Sequence, residues 1–182
     1  MISKKLTTVL LILFTSFSFA QEEPSVEKSI FGIQTGILGV WVHNEARLTN
    51  SIALRTEIGL DFGINGNDNT TTTVLIPGIR VEPRWYYNLE KRITKNRKIA
   101  NNSGNFLALN VAYNPDWFYI SSKENINVIS TVAFIPKWGI KRTVGNHLTY
   151  EAGIGLGGFI VLEDYETDTN VALDLHLRIG YT

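Results

Sequence analysis

The chain has no cysteine. A disulfide framework, a metal–thiolate centre, a thiol nucleophile and a lipidated cysteine are all excluded. It has no excess of either charge: 17 basic and 17 acidic residues leave a formal net charge of zero. Nucleic acid, which selects a basic surface, is therefore not an expected partner. Histidine is scarce. His43, His147 and His176 lie far apart with no ligand spacing, so no metal site and no cofactor are expected. Beyond residue 20, no apolar run approaches the ~20 residues that a membrane-crossing helix requires. Helical periodicity, a domain linker and low-complexity tracts are missing from the same stretch.

What is present is a period of two. In Val74–Leu89, VLIPGIRVEPRWYYNL, the residues Leu75, Pro77, Ile79, Val81, Pro83, Trp85 and Tyr87 form an apolar row. The alternate row carries Arg80, Glu82 and Arg84 in succession. Such a segment is an extended strand with two chemically opposite faces. The same alternation predicts strands near 30–42, 51–64, 105–113, 126–140, 147–161 and 171–181. It is weakest in 30–42, where Leu38, Val40 and Val42 share the parity of Gln34. The connections at 43–50, 88–104 and 141–147 follow alternate strands, and the polar loops GNDNTTTT, 114–125 and EDYETDTN fall between them. Long strands joined by short connections predict an all-β, antiparallel, up-and-down barrel that closes to remove its edges. Seven strands are visible. A barrel with both termini on one side needs an even number, so about eight are expected. The 25–43 region is the preferred source of the eighth, ahead of the surroundings of Trp117–Tyr119.

Residues 1–20 read as a cleaved signal peptide. Lys4 and Lys5 precede the apolar run Leu6–Phe14, and Ser18-Phe19-Ala20 is a small-x-small cleavage signal. Residues 21–182 then form one barrel domain.

Alternation leaves open which face points inward. A soluble barrel hides its apolar row; a membrane barrel presents it to lipid. Trp41, Trp85, Tyr87, Trp138 and Tyr181 are placed near one end, as interface aromatics of a membrane barrel would be. On the other row, Arg55, Arg80, Arg84, Lys137 and Arg178 are balanced by Glu57, Asp61, Glu82, Glu151 and Asp174, with His176 among them. A narrow interior favours such pairing, because an unpaired buried charge is costly. A transmembrane β-barrel with a polar, side-chain-filled lumen is therefore predicted. Across the 51–64/74–89 hairpin, partner numbers should sum to roughly 138. Glu57 is then expected beside Arg80 or Arg84, and Arg55 beside Glu82.

The segments Glu82-Pro83-Arg84-Trp85-Tyr86-Tyr87-Asn88, NNSGNFLALN, IPKWGIKR and the closing LHLRIGYT resemble the small outer-membrane β-barrel proteins of Bacteroidetes-type bacteria, small barrels of the OmpA and OmpX kind. The likeness implies a fold and an outer-membrane location, with no catalytic residue. It also implies the bilayer and its headgroups as surroundings, and the barrel-insertion machinery as a partner in biogenesis. Outer-membrane barrels commonly end in an aromatic residue; this chain ends Gly180-Tyr181-Thr182.

Candidate chemistry is sparse. Asp174, His176 and Arg178 alternate near Glu151, but no motif delivers a serine to His176. Asp164, Glu166 and Asp168 lack the glycine and glutamate of a defined calcium loop. Lys91, Arg92, Lys95, Arg97 and Lys98 form the one charge cluster, read as a solvated turn or as a contact for anionic headgroups or a polyanion. The glycines at 32, 36, 39, 153, 155, 157 and 158 match no phosphate loop and are assigned to relieving crowding. The leading expectation is a monomeric, non-enzymatic outer-membrane barrel with a structural or surface-interaction role. The alternatives are a soluble periplasmic lipocalin-like carrier of a small apolar ligand and a membrane-embedded acyl-chain enzyme.

Overall fold

The structure, a computed structural model, describes residues 24–67, 70–123, 126–162 and 169–182. Residues 1–20, read above as a signal peptide, and Asp164, Glu166 and Asp168 lie outside the described residues.

Eight long strands make the wall: β1 (Ser29–Gly36), β2 (Gly39–Arg47), β3 (Ile52–Asn67), β4 (Thr70–Trp85), β5 (Gly104–Asn114), β7 (Thr131–Val144), β8 (Leu148–Val161) and β9 (Thr169–Tyr181). A two-residue strand, β6 (Ile120–Ser121), continues the β5 side of the wall by pairing with β4. Every neighbouring pair is antiparallel. β3 pairs with β4 and β1 with β9, so the sheet closes into an up-and-down barrel.

The eighth strand comes from the N-terminal region. Ile37 and Leu38 form a tight turn, and Gln34 pairs with Trp41 across it. Partner numbers in this hairpin sum to an odd value, so the inward parity changes from even in β1 to odd in β2. That reversal is what blurred the alternation of 30–42. The segment after His43 is also strand, not turn: β2 runs to Arg47 and buries Glu45. β7 likewise continues past Ile140 to Val144 and buries Lys141.

Trp85 ends β4. Tyr86 then turns inward, and Leu89–Thr94 forms a short helix, α1, which periodicity did not announce. With Val26, Ala53, Leu89 and Phe106, Tyr86 makes a small apolar plug at this end. Tyr86 and Phe106 pack with ring centroids 5.5 Å apart. Residues preceding β1 are tied into the plug, Val26 N donating to Asn50 O and Glu27 N to Asn102 Oδ1. This end, which also carries both described termini, is the floor of the barrel. The opposite end is its mouth.

The wall is inverted relative to a soluble protein. Among the described residues, thirty-two large hydrophobic side chains are exposed against nine buried hydrophobic residues, so the main apolar surface faces outward. Leu173, Leu175 and Leu177 are 62%, 56% and 59% exposed, and Val81 also points out. Glycine makes room inside. A Cβ on Gly153 would press on the His176 ring, and one on Gly155 on Lys137 Cβ.

Candidate functional site

The lumen is a charge network. Six cations (Arg55, Arg80, Arg84, Lys137, Lys141, Arg178) meet six carboxylates (Glu45, Glu57, Asp61, Glu82, Glu151, Asp174). All eleven network residues expected from the sequence are here. Glu45 and Lys141 were missed, because the alternation was read as ending before each of them. They pair with each other, and Glu45 also accepts from Tyr86 Oη.

Arg84 is the centre of the floor. It is fully buried, donates two parallel bonds to Glu151 at 2.7 and 2.8 Å, and binds Glu82 at 2.5 Å. Its guanidinium lies 4.3 Å from the Phe106 ring centroid. The bidentate fork fits arginine and not lysine. Higher up, Glu57 holds Arg55 at 2.7 Å, Arg178 at 2.8 Å and Arg80 at 3.1 Å. The expected Glu57–Arg80 pair is therefore present, in direct register across the hairpin. Arg55 differs from expectation. It turns along its own strand to Glu57 and across to Gln34, while Glu82 is taken by Arg84 and Lys137. For Arg55 the opposite position in the sheet did not decide the partner, because long side chains in a narrow lumen reach neighbours from other strands.

His176 faces Asp174 through Nδ1 at 2.9 Å and Glu151 through Nε2 at 3.2 Å. Among the described residues, serine is not one of its partners, so the pieces of a Ser–His–Asp site do not assemble around it there. His43 is buried in the lumen, whereas His147 is exposed and stacks on Tyr181. Among the described residues, no cluster of potential ligands gathers to hold a metal.

Trp41 is a correction. It does not lie on the outside with the other aromatics: it is 3% exposed and points into the lumen. Its Nε1 donates to Asp61 at 2.8 Å, and the Arg178 guanidinium lies 4.1 Å from its ring centroid. The parity change at the β1–β2 turn is the reason. Trp85, Tyr87, Trp138 and Tyr181 are on the exterior at the floor end, and Trp138 Nε1 donates to Tyr87 Oη at 2.8 Å. A second exterior cluster, Trp117, Phe118 and Tyr119, lies toward the mouth.

The chain matches no family model, no curated protein and no solved structure at a significant level. Function therefore rests on geometry alone.

The basic cluster folds as α1 and the turn after it. Lys91, Lys95, Arg97 and Lys98 are exposed or nearly so, but Arg92 is buried and donates twice to Lys98 O, pinning the loop. With Tyr87, Asn105 and Arg142 of β7, Lys91, Arg92, Lys95 and Arg97 line a cleft of about 560 Å3 on the floor end. Burial, then the nearby Arg142 and Arg97 charges, push the Arg92 pKa below its ordinary value. Among the described residues, no carboxylate forms an ion pair with any cation of this cleft. Such a cleft attracts an anion.

Proposed function

We propose that this protein is an outer-membrane β-barrel with a sealed floor and a structural or surface-interaction role. The observation that carries the reading is the inverted wall. Among the described residues, Arg142 is the one charged side chain on the outward rows of the eight strands, and it sits at the floor rim. The other wall charges lie on inward rows, where six cations and six carboxylates are joined in ion pairs and Arg47 stands at the floor end of β2. In water, an exterior of this kind would drive aggregation; in hydrocarbon it is the stable arrangement.

The aromatic clusters supply a length. Leu75, which pairs with Ile120 beside Trp117–Tyr119, precedes Trp85 by ten residues on β4. Ten residues at ~3.3 Å, tilted about 40°, rise roughly 25 Å, the height of the apolar band of an outer-membrane barrel. Both termini then lie on the periplasmic side, with the basic cleft facing anionic headgroups of the inner leaflet. A lipocalin-like carrier requires the opposite orientation of Ile79, Val81 and Leu175, and the acyl-chain enzyme requires a nucleophile at His176.

Cell fractionation tests the reading. The protein should sediment with outer membranes, resist alkaline extraction and show the heat-dependent gel mobility of a folded barrel. Release into the soluble periplasmic fraction would overturn it.

A further inference from the structure

The barrel is not closed over its whole height. β1 and β9 share four pairs, from Ile33–Tyr181 to Gly36–Arg178, and β2 leaves β3 at Gly39–Asp61. Phe62 N still reaches Leu38 O. Beyond that point β3 and β9 continue toward the mouth as two edges, with no strand pairing between them among the described residues. The β1–β2 turn is thus the sill of a notch in the wall.

A cavity of about 510 Å3 fills the upper lumen and reaches this notch. Parity shows where it leaves the barrel. β5 and β7 contribute inward residues only, such as Asn110 and Ala133. β3 and β9 contribute both parities: Asp61 with Phe62, and His176 with Leu175. A strand lends both faces to one cavity where its edge is free. The cavity therefore passes from a polar interior, over Ile37 and Leu38, to an exterior of leucines.

We propose that this cavity binds an electrically neutral single-chain amphiphile, with its polar head in the lumen and its chain leaving through the notch into the bilayer. The proposal rests on the membrane reading above. The volume lies within the ~300–1,000 Å3 usual for small-molecule sites. Asn110 and Arg178 line the cavity and are 3% and 6% exposed, and among the described residues Asn110 Oδ1 and Arg178 Nε have no hydrogen-bond partner, which leaves an acceptor and a donor at the cavity wall for the head. The head is neutral because the charges lining the cavity are already ion-paired: Asp61 with Arg80, Asp174 with Lys137 and Arg178 with Glu57. A charged head would bring an uncompensated charge into a confined site.

The full chain, in bilayer nanodiscs, provides the test. Trp85, Trp117 and Trp138 are replaced by Phe, leaving Trp41 at the cavity wall as reporter. Heat-dependent gel mobility first establishes insertion, so failure of the membrane reading is seen separately. A chain-brominated monoacylglycerol is the probe. Trp41 fluorescence should be quenched saturably, and Ala133→Phe, which fills the cavity, should abolish the saturable part. The brominated fatty acid at about pH 8, where its carboxylate is charged, should bind roughly tenfold more weakly. Quenching that rises without saturation, or is unchanged by Ala133→Phe, would overturn the site. Equal binding of both probes would overturn the neutral head.

Discussion

At the scale of single residues, burial separates charges that look alike in the sequence. Arg84 and Lys95 are both cations near the floor. Arg84 is fully buried between Glu82 and Glu151; Lys95 is exposed beyond α1. Arg84→Ala strips buried Glu151 of its bidentate partner and leaves Glu82 with Lys137 alone, and should cost roughly 3–5 kcal/mol, whereas Lys95→Ala should stay within ~0.5 kcal/mol. Urea unfolding midpoints in lipid vesicles measure both. Equal shifts would mean that the lumen is hydrated like a surface. The eleven network residues were legible because each stands in a run of at least three alternating polar and apolar positions. Glu45 and Lys141 stand at strand ends, where a polar residue in the wall and a polar residue in a turn look the same. Trp41 was misplaced for a different reason. Its parity depends on how many residues the preceding turn contains, and no strong turn dipeptide marks Ile37-Leu38.

At the scale of elements, α1 and the plug are where strand periodicity stops being informative. Tyr86 and Leu89 continue a pattern of aromatics and aliphatics, yet they leave the wall and pack on Val26, Ala53 and Phe106. A six-residue helix is too short to show a period, and it is held by packing. Leu89→Ala should therefore destabilise the floor by ~2–5 kcal/mol, the usual range for a buried leucine. Hydrogen exchange at the amides of α1 should then rise well before the strand amides respond. The basic cleft makes a separate prediction. Reversing Lys91, Lys95 and Arg97 to Glu should slow insertion into phosphatidylglycerol vesicles at low salt, and the difference should shrink as salt screens it. Arg92 is left out of that variant because its guanidinium holds the loop at Lys98 O. No effect at low salt would leave the cleft as a solvated surface.

At the scale of the whole molecule, the described residues give the lumen a floor but leave its mouth and one side uncovered. The plug, and the ion pairs of Arg84 and Lys141 above it, occupy the path between the ends. The inserted protein should therefore give no steady single-channel conductance in a planar bilayer, and stable steps of uniform size would refute the sealed floor. The architecture was largely legible in advance because a two-residue period over long segments has few solutions. The notch was not, because it depends on how far two strands fall short of their neighbours, a matter of register that composition does not encode.

The four-pair seam between β1 and β9 also sets an order of events. Ile33 and Tyr181 are partners from the two ends of the described chain, so this contact closes the longest loop the molecule contains. Loop closure of that length is entropically costly and is recovered late, after the hairpins have formed locally. The ring must then be completed by β1 and β9, after β9 has been made. A truncation that removes β9 should leave an open sheet held at the assembly stage, with β1 still waiting for a partner.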